Sequence, residues 1–441
     1  VTPDTCLPGV PRQATIDALS HEGRGIAHVD GKAVFIDGVL PGETVTFRYT
    51  RRSTRYAEGN VVDILIPSIR RVTPKCRHHG ICGGCSLQHM VSRDQIDHKQ
   101  SVLLEQLRRI GNVEPENTLP PLCGPEWGYR RKARLGLKYV LKKEKLLLGF
   151  REKRSHYIAD LERCEVLHPA IGLRLIELRD FIHGLDGYDQ IPQLEVAVGE
   201  NASAVIFRHL TPWSAADLRR LAEFQDQWRI GVLLQSGGPE TVTPLNDKTT
   251  ADLVYRLTPY EIDIHFRPDD FTQVNFDINN AMVNHVLDLI DPRPGDTVLD
   301  LFSGLGNFSL PLAKQGVRVM GIEVSERLVR RARENAARNG IANAEFQVYD
   351  LVQRELDIPA LHKPYNKILI DPPRNGALEI IEHLDFTAVD KLVYVSCNPA
   401  TLARDAGLLA RAKGLRLKQA GIMDMFPHTA HVESIALFTH D

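Results

Sequence analysis

The 441-residue chain lacks any long apolar run, and nothing approaches the ~20 residues that cross a bilayer, so no membrane-spanning helix is expected. Its opening, V-T-P-D-T-C-L-P-G-V, lacks a charged segment followed by an apolar core, so no secretory leader is expected there. Net charge is nearly absent, at −2, and composition as a whole does not mark a polyanion binder. Cysteine is scarce: seven residues, an odd number, do not make a disulfide framework in a chain of this size, and a reducing, cytoplasmic setting is the expectation. Low-complexity tracts and internal repeats are also missing. What is present is ordinary for a globular protein, 25% charged and 43% hydrophobic, at a length that suggests about three domains.

Charge is unevenly placed. Between Thr44 and His79 stand eight Lys/Arg against Glu58 and Asp63, and between Tyr129 and His156 eleven against Glu144 and Glu152. Either block alone reads as a solvated face; two on a neutral chain point to a localised surface for a polyanion.

Residues 12–66 alternate short β-rich runs (Ala14–Leu19, Lys32–Ile36, Glu43–Tyr49, Asn60–Ile66) with Gly and Pro turns, the pattern of a small barrel. The runs L-S-H-E-G-R-G-I-A-H and D-G-V-L-P-G-E-T-V resemble the TRAM domain, an OB-like RNA-binding barrel. Arg48, Arg51, Arg52, Arg55 and Tyr56 offer charge for a backbone and a ring for stacking. Next comes Cys76-x5-Cys82-Gly-Gly-Cys85, three thiols on a loop whose glycines permit sharp folding. Cys164 is the leading fourth ligand, ahead of Cys123 and Cys6. Four thiolates suit a tetrahedral zinc or an iron–sulfur cluster, and His78 and His79 keep a mixed zinc site open.

Residues 93–110 predict an amphipathic helix ending at Gly111, with Ile96, Leu103, Leu107 and Ile110 on its apolar side. Residues 115–125 read as a linker. In A-R-L-G-L-K-Y alternation predicts a strand with an exposed cationic side. A helix over Ala170–Ile182 and strands at Leu194–Val198, Ala204–Phe207 and Gly231–Gln235 follow. The expected domains are 12–68, 75–268 and 269–441, with segment 93–125 packing on the last.

From Phe271 the pattern becomes β/α alternation, the mark of a doubly wound parallel sheet. Strands are expected at Thr297–Phe302, Val317–Glu323, Glu345–Asp350, Lys367–Asp371 and Lys391–Ser396, then an antiparallel hairpin from Leu415–Met425 and Ser434–Thr439. D-L-F-S-G-L-G-N-F sits between strand and helix, where small residues admit a nucleotide cofactor. Glu323 ends the next strand, placed to accept both hydrogen bonds of a ribose diol. NAD shares this geometry. Ser309 at the third fingerprint position, the helix E-V-S-E-R-L-V-R-R-A-R, Asp350 suited to an adenine amino group and Asp371 in D-P-P-R favour S-adenosylmethionine.

K-L-V-Y-V-S-C-N-P predicts a buried strand stopped by Asn398 and Pro399, leaving Cys397 at its C-terminal tip. A lone cysteine is most often core. Beside a methyl-donor site, a thiol has a use: added to C6 of uracil, it makes C5 nucleophilic, and a base must then remove the C5 proton. A cytosine-5 enzyme typically carries a second cysteine near the fourth strand, and D-P-P-R has none.

F-T-Q-V-N, D-L-F-S-G-L-G-N-F, D-P-P-R-x-G, S-C-N-P and H-V-E-S together resemble the RNA uracil-5-methyltransferase family, nearest to its bacterial 23S rRNA members. The resemblance implies a class I Rossmann-like S-adenosylmethionine-dependent domain behind a TRAM barrel and an α+β iron–sulfur domain. It implies Cys397 as nucleophile and Glu433 as proton-abstracting base. Asp424 and His431 are the alternatives for the base by proximity in sequence. It further implies S-adenosylmethionine contacts from Gln273, Phe302, Asn307, Glu323, Asp350 and Asp371, a [4Fe–4S] cluster on Cys76, Cys82, Cys85 and Cys164, and 23S rRNA presenting a flipped-out uridine. A transfer RNA substrate and a non-catalytic RNA-binding assembly factor are the competing expectations.

Overall fold

The computed structural model describes residues 10–353 and 358–440; Cys6 lies outside them. They divide into two compact units, one holding residues up to Val102 with Arg151–Tyr157 and Phe426–His431, the other the remainder. Among the described residues no helix is long and apolar enough to cross a membrane.

In the first unit six strands, β1 (Arg12–Thr15), β2 (Ala18–Leu19), β3 (Gly25–Val29), β4 (Lys32–Asp37), β5 (Thr44–Arg52) and β6 (Tyr56–Ile66), pair in the order β1-β5-β6-β4-β3-β2. The single strand expected at Ala14–Leu19 is broken at Ile16 and Asp17. The break has a function. β1 pairs with β5, the next two N–H groups donate to Glu43 O and Ile26 O, and β2 pairs with β3, so one segment joins both ends of the sheet into a barrel. Alternation places Val45 and Phe47 of β5 inward with Ala14, Ile36 and Val39. Gly59 has no substitute here, since a Cβ would lie 2.7 Å from the Phe47 ring.

Glu43 is fully buried and bound bidentately by Arg71, at 2.5 and 2.7 Å, with Leu40 N and Ser68 N also donating to it. Burial pushes its pKa up, but the Arg71 and backbone bonds prevail and hold it below the usual value. A depressed carboxylate contributes stability above its unfolded pKa and loses it as pH falls. Glu43→Gln is therefore expected to destabilise the protein by about 3 kcal/mol at pH 7. In urea melts the difference from wild type should shrink below pH 4.5, the ordinary value.

Arg48, Arg51, Arg52 and Arg55 are exposed as expected, and none forms an ion pair among the described residues. Arg52 lies over the Tyr49 ring, 3.9 Å from its centroid, whereas Tyr56 is half-buried edge-on to Phe35.

Helix α1 spans Ser92–Gln106 and closes with one π-helical turn, Leu107–Gly111. The wider turn rotates Ile110 to solvent, so it is not on the apolar side. Gly111 lies where a Cβ would be 2.4 Å from Ala403 O.

In the second unit β7 (Asn117–Thr118) is followed by β8 (Lys132–Val140), β9 (Lys145–Gly149), β10 (Gln193–Val198), β11 (Ser203–Arg208), β12 (Gly231–Gln235) and β13 (Val242–Pro244). The last six form a sheet ordered β13-β12-β11-β10-β8-β9. The helix expected at Ala170–Ile182 is two pieces, α2 (Pro169–Gly172) and α3 (Leu175–His183), and α4 spans Ala215–Trp228. The break follows Gly172, which is pressed against Cys164 O and accepts the Cys164 N–H. β8 alternates as expected, but its cationic side is partly spoken for. Lys132 bonds Asp270 O and Glu195, and Arg134 also pairs with Glu195.

A hairpin, β14 (Leu253–Leu257) and β15 (Ile262–Phe266), leads to α5 (Phe276–Ile290). There follow β16 (Thr297–Leu301), α6 (Ser309–Lys314), β17 (Arg318–Glu323), α7 (Glu326–Arg338), β18 (Ala344–Val348), β19 (Lys367–Ile370), α8 (Leu378–His383), β20 (Lys391–Ser396), α9 (Pro399–Ala412), β21 (Arg416–Met423) and β22 (Glu433–Thr439). Asn335 and Asn339 on and just after α7 exchange side-chain bonds with the β15 backbone, clasping the hairpin. The sheet order is β18-β17-β16-β19-β20-β22-β21-β7, with β16–β20 mutually parallel and β22 antiparallel. The order reverses between β16 and β19, and a ligand crevice opens beyond the carboxyl ends of strands at such a point.

Candidate active site

β20 stops at Ser396, where Asn398 takes over. Its side chain caps α9 by accepting Ala400 N at 3.1 Å, and Pro399 fills the first helical position. Cys397 sits in that turn, half-buried. Antiparallel pairing of β20 with β22 ends at Ser396 against Ser434, so Cys397 follows the end of one strand where Glu433 begins its neighbour, and the Glu433 charge acts on the thiol. Glu433 is 3% exposed. Thirty-five intervening residues thus separate two groups that the sheet brings side by side.

The D-P-P-R loop is tied down from beneath. Asn398 Nδ2 and Thr401 Oγ1 donate to Arg374 O, Arg404 Nη2 to Asn375 O, and the buried Asp405 accepts Ala377 N and the Tyr394 hydroxyl. Gly376 is left-handed, with φ +81°, and a Cβ there would strike Asp405.

The electrostatics are those of crowded acids. Burial pushes the Cys397 thiol up to about 11, helped by Glu433 and Asp371 and opposed by Arg374. Burial likewise lifts Glu433 well above the carboxylate range, again with Asp371 raising and Arg374 lowering. Desolvation and then Asp300 bring Asp371 to about 7. These causes tie Cys397, Glu433, Asp371 and Arg374 into one site.

Of the expected cofactor residues, Phe302 and Asn307 lie in the turn after β16. Phe302 is left-handed at φ 67° and donates its N–H to Ile322 O. Gly304 is left-handed with open space where a Cβ would be. Glu323 accepts Gly304 N and Ser325 N, one on each oxygen, which aims its remaining lone pairs beyond the strand. Asn307 is held by a reciprocal amide pair with Asn279 and by the Tyr255 hydroxyl, all at 2.9 Å. Gln273 is half-buried, two residues before Asn275 caps α5. β18 ends at Val348, so Asp350 lies in the turn beyond it rather than at a strand end, its carboxylate accepting Val352 N and Gln353 Nε2.

Asp300, inside β16 and fully buried, was not singled out from the sequence. Ser309 Oγ donates to its Oδ2, while Oδ1 has no partner among the described residues. Burial raises it to about 7, against the Ser309 bonds. An acid between leucines in a buried strand was the available signal.

A family model described as tRNA (Uracil-5-)-methyltransferase matches residues 251–441, and one described as TRAM domain matches residues 9–62. The 23S rRNA (uracil(1939)-C(5))-methyltransferase RlmD of Alkalilimnicola ehrlichii is 49% identical over 99% of this chain and 98% of its own length. That of Methylococcus capsulatus is 50% identical, covering 98% of each. The chain belongs to the RlmD family. A solved structure, the Pyrococcus abyssi tRNA (uracil-54, C5)-methyltransferase in complex with S-adenosyl-L-homocysteine, superposes with a TM-score of 0.74 at 25% identity, covering 97% of this chain and all of that one. The expected class I, S-adenosylmethionine-dependent methyltransferase fold with an N-terminal TRAM barrel is therefore present in this RlmD-family chain.

The thiol loop is a separate feature. His79 N donates to Cys76 O, Cys82 N to His78 O, and Gly84 N to Cys82 Sγ at 3.4 Å. Gly83 packs on Arg151 O, where a Cβ would be 2.9 Å away. The Lys153 ammonium feels the charge of Cys85 and Cys82. A compact loop, an N–H aimed at sulfur and a nearby cation suit thiolate ligands. Among the described residues, however, no group of three or more His, Cys, Asp or Glu side chains is gathered as a bound metal ion requires.

Proposed function

We propose that this RlmD-family enzyme methylates C5 of a specific uridine in 23S rRNA through a covalent Cys397 adduct. The observation that supports it best is the pairing of Cys397 with buried Glu433 at neighbouring strand ends, flanked by Asp371 and Arg374. In this reading the Cys397 thiolate adds to C6, breaking the C5–C6 double bond and leaving an enolate across C4 and C5. C5 then attacks the methyl group of S-adenosylmethionine, the second substrate; the S–CH3 bond breaks and S-adenosylhomocysteine leaves. Glu433, ionised at that moment, takes the C5 proton; the electron pair re-forms the double bond and expels the thiolate. Arg374 offsets the negative charge of the thiolate and the carboxylates. Gln273, Phe302, Asn307, Glu323, Asp350 and Asp371 hold the methyl donor.

Residues 12–68 and 75–268 grip the RNA backbone, the exposed Arg48, Arg51, Arg52 and Arg55 giving a salt-sensitive contribution, and 269–441 performs the chemistry. The loop thiols Cys76, Cys82 and Cys85 would supply ligands to the [4Fe–4S] cluster that the resemblance implies, and the Gly84 N–H to Cys82 Sγ is the support for it. Methyl transfer to uracil requires no electron, so the cluster would shape the RNA-binding surface rather than carry redox chemistry.

A fluorine at C5 blocks proton removal, so 5-fluorouridine-substituted 23S rRNA with S-adenosylmethionine should leave an adduct that survives denaturation and maps by mass to Cys397. Adduct with 5-fluorouridine tRNA but not 23S rRNA would reassign the substrate; none with either, despite binding of both partners, would end the covalent reading.

A further inference from the structure

Asp405 lies on α9 with no exposed surface. A carboxylate so placed persists only where specific bonds offset its desolvation. Its bonds come from three directions. Oδ2 accepts the hydroxyl of Tyr394, on β20, at 2.7 Å, and Ala377 N, after the D-P-P-R loop, at 2.8 Å. Oδ1 accepts Arg404 Nε at 2.8 Å, and Arg404 Nη2 in turn donates to Asn375 O at 2.9 Å. Arg374 O is bonded from the start of the same helix by Asn398 Nδ2 and Thr401 Oγ1. Arg374, Asn375 and Ala377 are thus each fastened by their backbone to α9 or its cap. Gly376 runs so close between them that a Cβ would lie 2.6 Å from Asp405 Oδ2. Asp371, at the other end of the loop, is held separately: its N–H donates to Leu301 O, at the end of β16.

We propose that Asp405 is a positioning residue for Arg374: by joining Tyr394, Ala377 and Arg404 it fixes the turn from Arg374 to Ala377 against the strand that ends at Cys397, so that the guanidinium charge bears on the thiol. The inference rests on the roles given to Cys397 and Arg374 above. A carboxylate can accept from strand, loop and helix at once; an amide in its place must turn its NH2 toward one of those donors and leave that donor unpaired. Arg374 is the charge that opposes burial at both Cys397 and Glu433. A turn free to swing takes that charge away from the thiolate, and addition to C6 slows. Binding of the methyl donor does not change, because Asp371 is tied to β16 and not to Asp405.

The test measures how fast the denaturation-stable adduct forms on 5-fluorouridine-substituted 23S rRNA with saturating S-adenosylmethionine, using full-length Asp405→Asn, Tyr394→Phe, Arg374→Gln and the double variant Asp405→Asn with Arg374→Gln. Asp405→Asn is expected to lower the rate about 10- to 100-fold while the S-adenosylmethionine Kd, by calorimetry, stays within about twofold of wild type. Tyr394→Phe keeps the ring and loses one bond, so it should show a smaller loss in the same direction. In the Arg374→Gln background, Asp405→Asn should change the rate by less than about twofold, because the charge it positions is already gone. Losses that multiply in the double variant would show a structural role independent of Arg374 and overturn the inference. So would an unchanged rate in Asp405→Asn, or methyl-donor affinity that falls in step with the rate. Should Asp405→Asn fail to fold, Tyr394→Phe alone and combined with Arg374→Gln carries the same comparison. A wild type that forms no adduct would instead overturn the reading of Cys397, and with it the inference built on that reading.

Discussion

Glu433→Gln is expected to convert the enzyme into one that captures RNA and does not release it. Turnover should fall about 10²- to 10⁴-fold, the usual contribution of a positioned general base. Adduct formation should not fall with it. An ionised Glu433 raises the Cys397 thiol, so a neutral amide in its place does not hinder thiolate formation. Single-turnover assays with native 23S rRNA should therefore show methylated, protein-linked RNA appearing at least as fast as product does in wild type. Equal loss of adduct and product would sink the assignment of Glu433 as base.

Cys397→Ala is the complementary case. Without the thiol no adduct forms, and turnover is expected to drop on the order of 10⁴-fold or more while binding of S-adenosylmethionine is unchanged by calorimetry. In wild type, a thiol at about 11 is mostly protonated at neutral pH. Since the thiolate is the nucleophile, kcat/KM should climb about tenfold per pH unit above pH 8. Near pH 7 the climb should be shallower, because Asp371 ionises there and adds a charge that opposes the thiolate. A flat profile across pH 7–9 would show that RNA binding has already ionised the thiol.

Local patterns carried much of the fold. The end of β20 was legible because Asn398 and Pro399 are a cap and a first-turn residue whatever lies elsewhere in the chain. The glycines after β16 were legible for the same reason, since Gly304 and Gly306 adopt left-handed conformations that few other residues allow. What stayed hidden was non-local. The partnership of Cys397 with Glu433 depends on strand register, which the residues alone do not state; only the resemblance of H-V-E-S pointed to it. Ser309 was noticed as a departure from a dinucleotide fingerprint, but its use, holding buried Asp300, depends on a bond between strand and helix. The cationic side of β8 read as exposed, but alternation fixes the face of a strand and not what pairs with it, and Arg134 there is bound to Glu195.

The broken strand at the start of the barrel has a consequence for how safely the protein can be handled by a cell. Residues 12–19 are the seam: among the described residues they alone cover the open edges of β5 and β3. A protease nick at Asp17, or a start shifted past it, would leave two unpaired strand edges beside the apolar Val45 and Phe47. Such edges template pairing with a second copy, and the outcome is aggregation rather than a merely weakened RNA grip. The seam makes the few residues least involved in chemistry among those the protein can least afford to lose.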